Sequence, residues 1–343
     1  MRGLSVVVRR IGAPVRGVGA ARRPLDTREG LWLQLSDGAR TGHGEASPLP
    51  GFSADRFADA AAALSGLDGA MLGGWLDGDV ATLLAKSERT WSSPAARCAV
   101  ETALLDLLGQ RLGRSFPSLL RSDAHFAAGP VAALVAVDEP ARFARTARQA
   151  VTDGATALKV KIGRPGAFAS ELAALHALRD ACGDIELRLD ANRAFPDAVA
   201  ATRLAQLAAV HPRFVEEPFA GGLIGRRLDT EAVPIAVDES LIGSDDDAIG
   251  ALLAAGPAAV IVKPMALGLG TALRLAHQAS AAGLCTIVTH LWDGPIALRM
   301  AHALSATVPP PTGAPGLATH PGLAAWPAMR FSDDTAGLGL ESW

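Results

Sequence analysis

Lysine is scarce in this chain of 343 residues. Four of its 32 basic residues are lysines, at positions 86, 159, 161 and 263, and the other 28 are arginines. A genome that favours Arg codons explains this over most of the surface. Arginine cannot replace lysine where a side chain must lose its proton or act as a compact cation. We therefore expect the lysines at 159, 161 and 263 to mark chemistry, whereas Lys86 has no assigned task.

Several features of membrane and nucleic-acid proteins are missing. The net charge is −3, the isoelectric point is about 6.2 and no Lys/Arg run exceeds two residues. This excludes a basic field for nucleic acid. No stretch of 18 apolar residues occurs, and the N-terminus does not resemble a secretion signal. We expect a cytoplasmic protein whose partner is a small molecule, without nucleic acid or membrane; the oligomeric state is left open.

Cysteine is also rare. Cys98, Cys182 and Cys285 are odd in number, far apart and embedded in apolar segments. Such a pattern favours reduced core thiols over disulfides or a metal cluster.

Short apolar runs alternate with Ala/Leu-rich helical segments from about residue 130. Successive runs begin 20 to 29 residues apart, which is about the length of a strand and a crossover helix. No Gly-rich phosphate loop follows the first run, so a closed barrel is favoured over an open doubly wound sheet. We predict an α/β fold, a (β/α)7β TIM-like barrel, with a further short run near 316–319. The seven predicted strands are 131–137, 157–162, 185–192, 214–219, 234–240, 259–264 and 285–290.

The first 125 residues have a different pattern. Runs at 4–11 and 30–46 predict antiparallel strands with a turn at Ser36-Asp37-Gly38, and helices are expected from about 54 to 120. We predict an α+β capping domain at 1–125, the barrel at 126–319, and a tail at 320–343. Trp326, Phe331 and Trp343 are expected to anchor this tail on the cap.

Acidic residues end three successive predicted strands. They are Asp190, Glu216 or Glu217, and Asp238. The carboxyl ends of barrel strands meet at the active-site face, where such acids can converge on one hard cation. We predict that Asp190, Glu216 and Asp238 bind Mg²⁺, with Mn²⁺ as the alternative. Alternation allows only one of the two glutamates to point inward, but it does not say which.

Lysines flank these acids in the predicted order of strands. Lys159 and Lys161 share one face of a strand, so repulsion between them should lower the pKa of one. Lys263 comes from the other side of the acids. This set suits removal of a proton α to a carboxylate, with the metal stabilising the enediolate. Each residue alone is typical of a solvated strand end or a cap; their joint occurrence favours chemistry.

The motifs ALKVKIG, LRLDANRAF, FVEEPF, AVDES and IVKPMALG occur in this order. They resemble the muconate-cycloisomerase-like subgroup of the enolase superfamily, which includes enzymes with a Lys base and Mg²⁺. Within it, GHGEASPLPGFS and LRLDANRAF are most similar to the o-succinylbenzoate synthase family of menaquinone biosynthesis. The resemblance spans nearly the whole chain.

The resemblance implies roles for individual residues. Lys161 would be the base, beside Lys159, and Glu216 would be the glutamate that binds the metal. Lys263 would stabilise the enediolate during dehydration of 2-succinyl-6-hydroxy-2,4-cyclohexadiene-1-carboxylate, a lyase reaction. Asn192 would lie behind the metal ligands, and Glu217 and Glu239 would be supporting acids near the lysines. A loop closing over the substrate would consist of Ser47, Pro48, Leu49, Pro50, Gly51, Phe52 and Ser53.

One segment departs from the resemblance. Residues 289–297, THLWDGPIA, replace an expected Ser-rich stretch, so His290 and Asp293 either contact substrate or order the loop.

Other reactions of the superfamily stay open. These are racemisation of N-acylamino acids, dipeptide epimerisation and muconate cycloisomerisation, because one enediolate serves them all. An acidic D-x-D segment expected of a dipeptide epimerase is missing from 318–326. A Schiff-base aldolase and a non-catalytic barrel are the alternatives from other classes.

Overall fold

The computed structural model describes residues 3–20, 23–126, 129, 131–229, 231–333 and 335–342. Trp343, one of the predicted tail anchors, lies outside them. None of the helices in these ranges is both long and apolar enough to cross a membrane. All three cysteines are free, Cys98 being buried and the other two half-buried.

Three antiparallel strands form the sheet of the cap. β1 (Ser5–Ala20) pairs with β2 (Arg23–Ser36), and β2 pairs with β3 (Thr41–Ala46). The Asp37 carboxylate closes the predicted turn by accepting hydrogen bonds from the backbone of residues 39 and 40. The first hairpin extends beyond the predicted runs, because positions such as Gly12 opposite Glu29 lack the apolar alternation that indicates a strand.

Five helices complete the cap. α4 is almost entirely buried against β3. It begins at Pro94 behind a Ser93 cap and ends at Leu112, where Gly113 with φ 64° caps it. The helices are α1 (Phe57–Ser65), α2 (Gly69–Trp75), α3 (Val80–Thr90), α4 (Pro94–Leu112) and α5 (Phe116–Leu120).

The predicted barrel strands are present and parallel, which confirms the fold class. They lie in sequence order in one curled sheet. The strands are β4 (Ala132–Val135), β5 (Ala157–Lys161), β6 (Glu186–Asp190), β7 (Phe214–Glu216), β8 (Ile235–Val237), β9 (Ala259–Val262) and β10 (Cys285–Val288).

An irregular segment at 311–316 lies between the two edge strands. It bridges to Thr286 of β10 and to Thr289 directly after that strand, and the Ala132 backbone N–H of β4 donates to the Pro315 carbonyl at 2.9 Å. The segment therefore takes the place of the expected eighth strand, slightly before 316–319. Proline cannot donate to a ladder, which is why the residues around Pro311 and Pro315 form isolated bridges instead of a regular strand.

Helices surround the sheet, with one exception to the expected alternation. Residues 217–229 and 231–234, which connect β7 to β8, contain no helix. This connection is the shortest, and Gly221, Gly222 and Gly225 favour turns there. The helices are α6 (Pro140–Thr152), α7 (Phe168–Cys182), α8 (Asp197–Leu207), α9 (Asp246–Ala254), α10 (Pro264–Leu267), α11 (Leu269–Ala281) and α12 (Pro295–Thr307).

The tail lies against the cap. Trp326 is 6% exposed, and its ring packs beside Gly30 of β2. The Leu338 backbone N–H donates to the Asp106 carboxylate of α4 at 2.7 Å. A short hairpin of β11 (Arg330–Phe331) and β12 (Leu340–Ser342) ends the described chain.

Close packing of β3 on α4 yields a stability prediction. A Cβ on Gly44 would overlap the backbone carbonyl of Ala99, which cannot move without disturbing α4. We expect Gly44→Ala to lower the free energy of unfolding by roughly 1–3 kcal/mol, measured by urea denaturation. Gly74→Ala is the control: a Cβ there meets open space within a helix, so stability should stay equal or rise by up to about 1 kcal/mol. Equal midpoints for both variants would contradict the prediction.

Candidate active site

A cavity of about 590 Å³ lies at the carboxyl end of the parallel strands, beneath the cap. Its charged lining comes from the barrel, and apolar side chains from the cap and the barrel loops surround it. Such a cavity at this face is where parallel barrels carry their active sites. The charged lining residues are Lys159, Lys161, Arg188, Asp190, Arg193, Glu216, Glu239 and Lys263.

Three carboxylates meet at the end of the central strands. Asp190 ends β6, Glu216 ends β7 and Asp238 follows β8; each is 1% exposed. One carboxylate oxygen from each lies within 4.8 Å of the others. Asp190 and Glu216 are paired across neighbouring strands, which brings two of the three carboxylates together. Alternation along the strand left open whether Glu216 or Glu217 points inward. Glu216 joins the cluster, because the Glu217 carboxylate binds the backbone of the loop after β8.

The cluster has the chemistry of a divalent cation site. Asp238 Oδ1 is buried and has no hydrogen-bond partner within the described chain. Mg²⁺ and Mn²⁺ prefer carboxylate oxygens, and Mg²⁺ is usually held by few carboxylates together with water and substrate oxygens. Asp190, Glu216 and Asp238 therefore fit such an ion, with oxygen donors from three strands.

Lys159 neutralises part of this negative charge. Its Nζ lies 2.5 Å from Glu216 Oε2 and 3.0 Å from Asp190 Oδ2. Burial alone would lower the pKa of Lys159, but the nearby carboxylates raise it above the ordinary lysine range. Lys159 is therefore a fixed cation. In Glu216 burial dominates and raises the pKa to about 7, against the opposing charge of Lys159.

Lys161 differs from Lys159 although both line the cavity. In the described part of the chain it has no hydrogen bond or ion pair. Burial lowers the pKa of Lys161, and the positive charges of Lys159 and Lys263 lower it further against the attraction of Asp190. Repulsion between the two lysines was expected to lower one pKa; desolvation is the larger cause. Lys161 is thus better able to accept a proton than Lys159.

Lys263 approaches the cluster from the opposite flank. It follows β9, next to the strand that carries Asp238, whereas Lys161 ends β5 on the far side of β6. Its Nζ lies 2.6 Å from Asp238 Oδ2 and 4.1 Å from the centre of the Phe52 ring of the cap. The carboxylate cluster therefore has lysines on two sides.

Asn192 and Glu239 lie beside the carboxylate cluster and line the cavity. Asn192 Nδ2 donates to Glu239 Oε1 at 2.7 Å, and its backbone N–H donates to Asp190 Oδ1 at 3.1 Å. Burial, together with the carboxylates of Asp238 and Asp190, raises the pKa of Glu239 to about 8. Asn192 has φ 42°, a left-handed conformation that asparagine tolerates well.

Glu217 supports the loop that carries Asp238. Its carboxylate accepts from the backbone N–H groups of Asp238 at 3.0 Å and Ser240 at 2.7 Å, and from the Arg193 guanidinium at 3.2 Å. Glu217 was expected to lie near the lysines. It makes these contacts instead, because its side chain points away from that of Glu216.

The predicted substrate loop is divided between two environments. Leu49, Gly51 and Phe52 line the cavity. Ser47 and Pro48 are buried instead, and Ser53 Oγ accepts from the Leu49 backbone N–H at 2.9 Å, which shapes the turn. Pro50 is exposed.

Loop 289–294 forms the facing side of the cavity. His290, Leu291 and Trp292 line it. Asp293 is 4% exposed and accepts a hydrogen bond from the Leu291 backbone N–H at 3.2 Å. These two residues were expected either to contact substrate or to order the loop. His290 lies in the cavity wall, whereas Asp293 orders the loop.

Three arginines with a place in this site are absent from the sequence prediction. One is Arg193, which lines the cavity and donates to Glu217. Arg188 lies two residues before Asp190 and points into the cavity, where Nη1 donates to the Ala314 carbonyl at 2.6 Å. The period of two along β6 could have identified it. Arg28 is 1% exposed and joins the cap to loop 289–294. No local pattern indicates its distant partners.

Two family descriptions match the chain. "Enolase C-terminal domain-like" matches residues 142–332, which contain the three clustered carboxylates and the three cavity lysines. "MenC, N-terminal domain" matches residues 13–92 of the cap.

Individual proteins show the same likeness. The chain is 32% identical to the o-succinylbenzoate synthase of Citrobacter koseri over 309 residues, which is 88% of this chain and 86% of that protein. MenC from Desulfotalea psychrophila LSv54 superposes with a TM-score of 0.75 at 25% identity, covering 98% of this chain and 100% of that one. A dipeptide epimerase from Enterococcus faecalis V583, complexed with Mg and dipeptide, has the same fold with a TM-score of 0.81 at 21% identity, covering 99% and 100%.

The His290 side chain yields a pH prediction. Asp293 N–H donates to Nδ1, so Nε2 carries the proton and faces the Ala318 carbonyl. Burial lowers its pKa from 6.5 to about 4. Between these values the unfolded chain binds a proton that the folded chain does not, so stability is full above about pH 6.5 and falls as the pH drops toward 4.

Urea denaturation of the unmodified chain and His290→Gln at about pH 7 and about pH 5 measures this effect. The unmodified chain should lose about 1–2 kcal/mol more than the variant on acidification. Equal losses would mean that His290 is not held neutral. Because both proteins retain every other titrating group, the comparison isolates this histidine.

Proposed function

Because the chain belongs to the enolase C-terminal domain-like family, we propose that it is a Mg²⁺-dependent o-succinylbenzoate synthase. It is an enzyme, a carbon–oxygen lyase of the enolase superfamily. The proposed reaction is dehydration of 2-succinyl-6-hydroxy-2,4-cyclohexadiene-1-carboxylate to o-succinylbenzoate in menaquinone biosynthesis. Its setting would be the cytoplasm, and its partner this small dicarboxylate.

The observation that carries the proposal is that two lysines lie on either side of the carboxylates, and among the described residues only one of them is ion-paired. Lys161 is unpaired within the described chain and its pKa is lowered, whereas Lys263 is ion-paired with Asp238. One lysine is thus suited to proton transfer and the other to holding a fixed positive charge.

In the proposed reaction Lys161 takes the proton from the carbon α to the ring carboxylate. The electron pair of that C–H bond forms a new double bond in the ring, the C–O bond to the ring hydroxyl breaks, and the departing hydroxide takes the proton from Lys161 and leaves as water. Lys263 and Lys159 hold positive charge near the carboxylate as negative charge develops on it. Mg²⁺ held by Asp190, Glu216 and Asp238 would stabilise the same charge when bound.

The cavity suits a ligand of this size. Its volume of about 590 Å³ lies in the range of small-molecule sites, about 300–1,000 Å³. The ring carboxylate would face the charged lining, and Leu49, Phe52 and Trp292 offer apolar surface to the ring and the succinyl chain.

An assay of purified protein with the cyclohexadiene carboxylate tests the proposal. We expect dehydration with Mg²⁺, loss of the activity in EDTA and recovery on adding Mg²⁺. Lys161→Ala should lower kcat about 10²–10⁴-fold, because it removes the general base. Lys86→Ala on α3 is the matched control and should leave kcat unchanged.

Some results would overturn this function. Absence of dehydration with Mg²⁺ present excludes the synthase. Trapping of a substrate adduct by borohydride, together with activity indifferent to EDTA, would indicate a Schiff-base aldolase instead.

Lys263→Arg separates dehydration from racemisation. Dehydration needs only a cation at this position, so Arg should retain more activity than Lys263→Met by about tenfold or more. Racemisation needs Lys263 to transfer a proton, which Arg does not do at neutral pH. Equal loss of dehydration in both variants would contradict the electrostatic role. Racemisation of N-acylamino acids is measured in the same preparations by loss of optical rotation.

A further inference from the structure

We propose that Arg28 is a positioning residue that sets the shape of the cavity mouth and thereby the affinity for substrate. It does so by joining two segments that face each other across the site, 47–53 of the cap and 289–294 of the barrel. The substrate part of this inference rests on the proposed synthase function; the positioning part does not.

Arg28 binds both segments through backbone carbonyls. On the cap side its guanidinium donates to Pro48 O at 2.8 Å and to Ser47 O. On the barrel side Nη2 donates to Leu291 O and Nε to Trp292 O, each at 3.2 Å. Arg28 is 1% exposed, so loss of its side chain would remove all four of these hydrogen bonds from a buried part of the molecule.

Two acids complete this cluster. Asp293 Oδ1 lies 3.9 Å from the Arg28 guanidinium. Glu45 accepts from Ser47 Oγ at 3.0 Å and from the Gly294 backbone N–H at 2.6 Å, so it also spans the cap and the barrel. Burial raises the pKa of Asp293 to about 7, against the opposing charge of Arg28. We call Arg28, Glu45 and Asp293 the mouth cluster.

The carbonyls that Arg28 binds adjoin the side chains that surround the cavity. Leu49 and Phe52 follow Ser47 and Pro48 in one short turn, and the Leu291 and Trp292 side chains line the cavity themselves. Phe52 also covers Lys263 at 4.1 Å. A shift of Arg28 would therefore move both walls of the mouth and the ring that covers one lysine.

Trp292 shows why a donor is needed here. Its φ is 57°, a left-handed conformation that costs a bulky residue energy and persists only when neighbours hold it. The Arg28 Nε hydrogen bond to the Trp292 carbonyl is one such restraint. The Trp292 ring in turn lies 4.7 Å from the His320 ring, at the edge of the same cavity.

Lysine cannot reproduce this arrangement. A guanidinium presents its donors in a rigid planar fork, whereas an ammonium on a flexible stem is a point charge. Arg28 uses that fork to reach carbonyls of two segments at once. A lysine at position 28 would keep the positive charge, but we expect that charge alone not to hold the two segments in place.

Hydrogen exchange of the substrate-free chain tests the positioning. In Arg28→Met, backbone amides of both 47–53 and 289–294 should exchange about tenfold faster or more, while those of β5 to β7 stay protected. Arg28→Lys should show most of this effect. Arg97→Met is the matched control: Arg97 joins the cap to the barrel at Leu267 O, 2.7 Å, away from the mouth. Faster exchange in only one segment, or none, would overturn the proposal.

Kinetics test the consequence for substrate. In Arg28→Lys the KM for the cyclohexadiene carboxylate should rise about tenfold or more, with a smaller fall in kcat, because the base and the carboxylate cluster are unchanged. Arg97→Met should keep both constants. A fall in kcat with unchanged KM would contradict a role at the mouth.

Asp293→Asn replaces the Arg28 variants in the exchange experiment if those variants do not fold. It retains the shape of the side chain and removes the nearest counter-charge of Arg28. The same faster exchange in both segments is expected, and protection equal to that of the unmodified chain would overturn the proposal. Exchange requires no substrate, so its result stands apart from the assay that decides the proposed function.

Discussion

Three buried carboxylates within 4.8 Å of one another are the constraint on which this structure depends. Acids this close and this far from water repel each other and must be compensated by positive charge. Lys159 pairs with two of them and Lys263 with the third. Since neighbouring parallel strands carry Asp190 and Glu216 in register, the pairing of their backbones also brings these two charges together. The sheet thus provides a site whose charge balance leaves Lys161 unpaired within the described chain.

The barrel does not form this site alone. Phe52 of the cap lies over Lys263, and Arg28 and Glu45 of the cap bond to the barrel loop at 291–294. Phe52 shields Lys263 on this side, and a lower local dielectric strengthens the electrostatic interactions that proton abstraction requires. The cap and its loop are therefore part of the chemical environment of the lysines and not only a cover.

Period and strand order made much of the site predictable. Acids and lysines at strand ends had to meet at one face, and the period of two put Lys159 and Lys161 on one side. The same period would have identified Arg188. The period could not show that Lys159 is ion-paired while Lys161, among the described residues, is not, because that depends on how neighbouring strands are placed. Nor could it identify Arg28, whose barrel partners lie more than 260 residues away in the chain.

The amino-acid sequence by itself determined the order of strands, the residue types at their ends and the separation of cap from barrel, because these follow from local periodicity and chain direction. The tertiary structure alone decided which glutamate of the pair at 216 and 217 joins the cluster and which lysine remains unpaired. It also decided how loop 289–294, with its unexpected sequence, is held against the cap. These outcomes depend on distances between segments remote in the chain, and no local pattern encodes such distances.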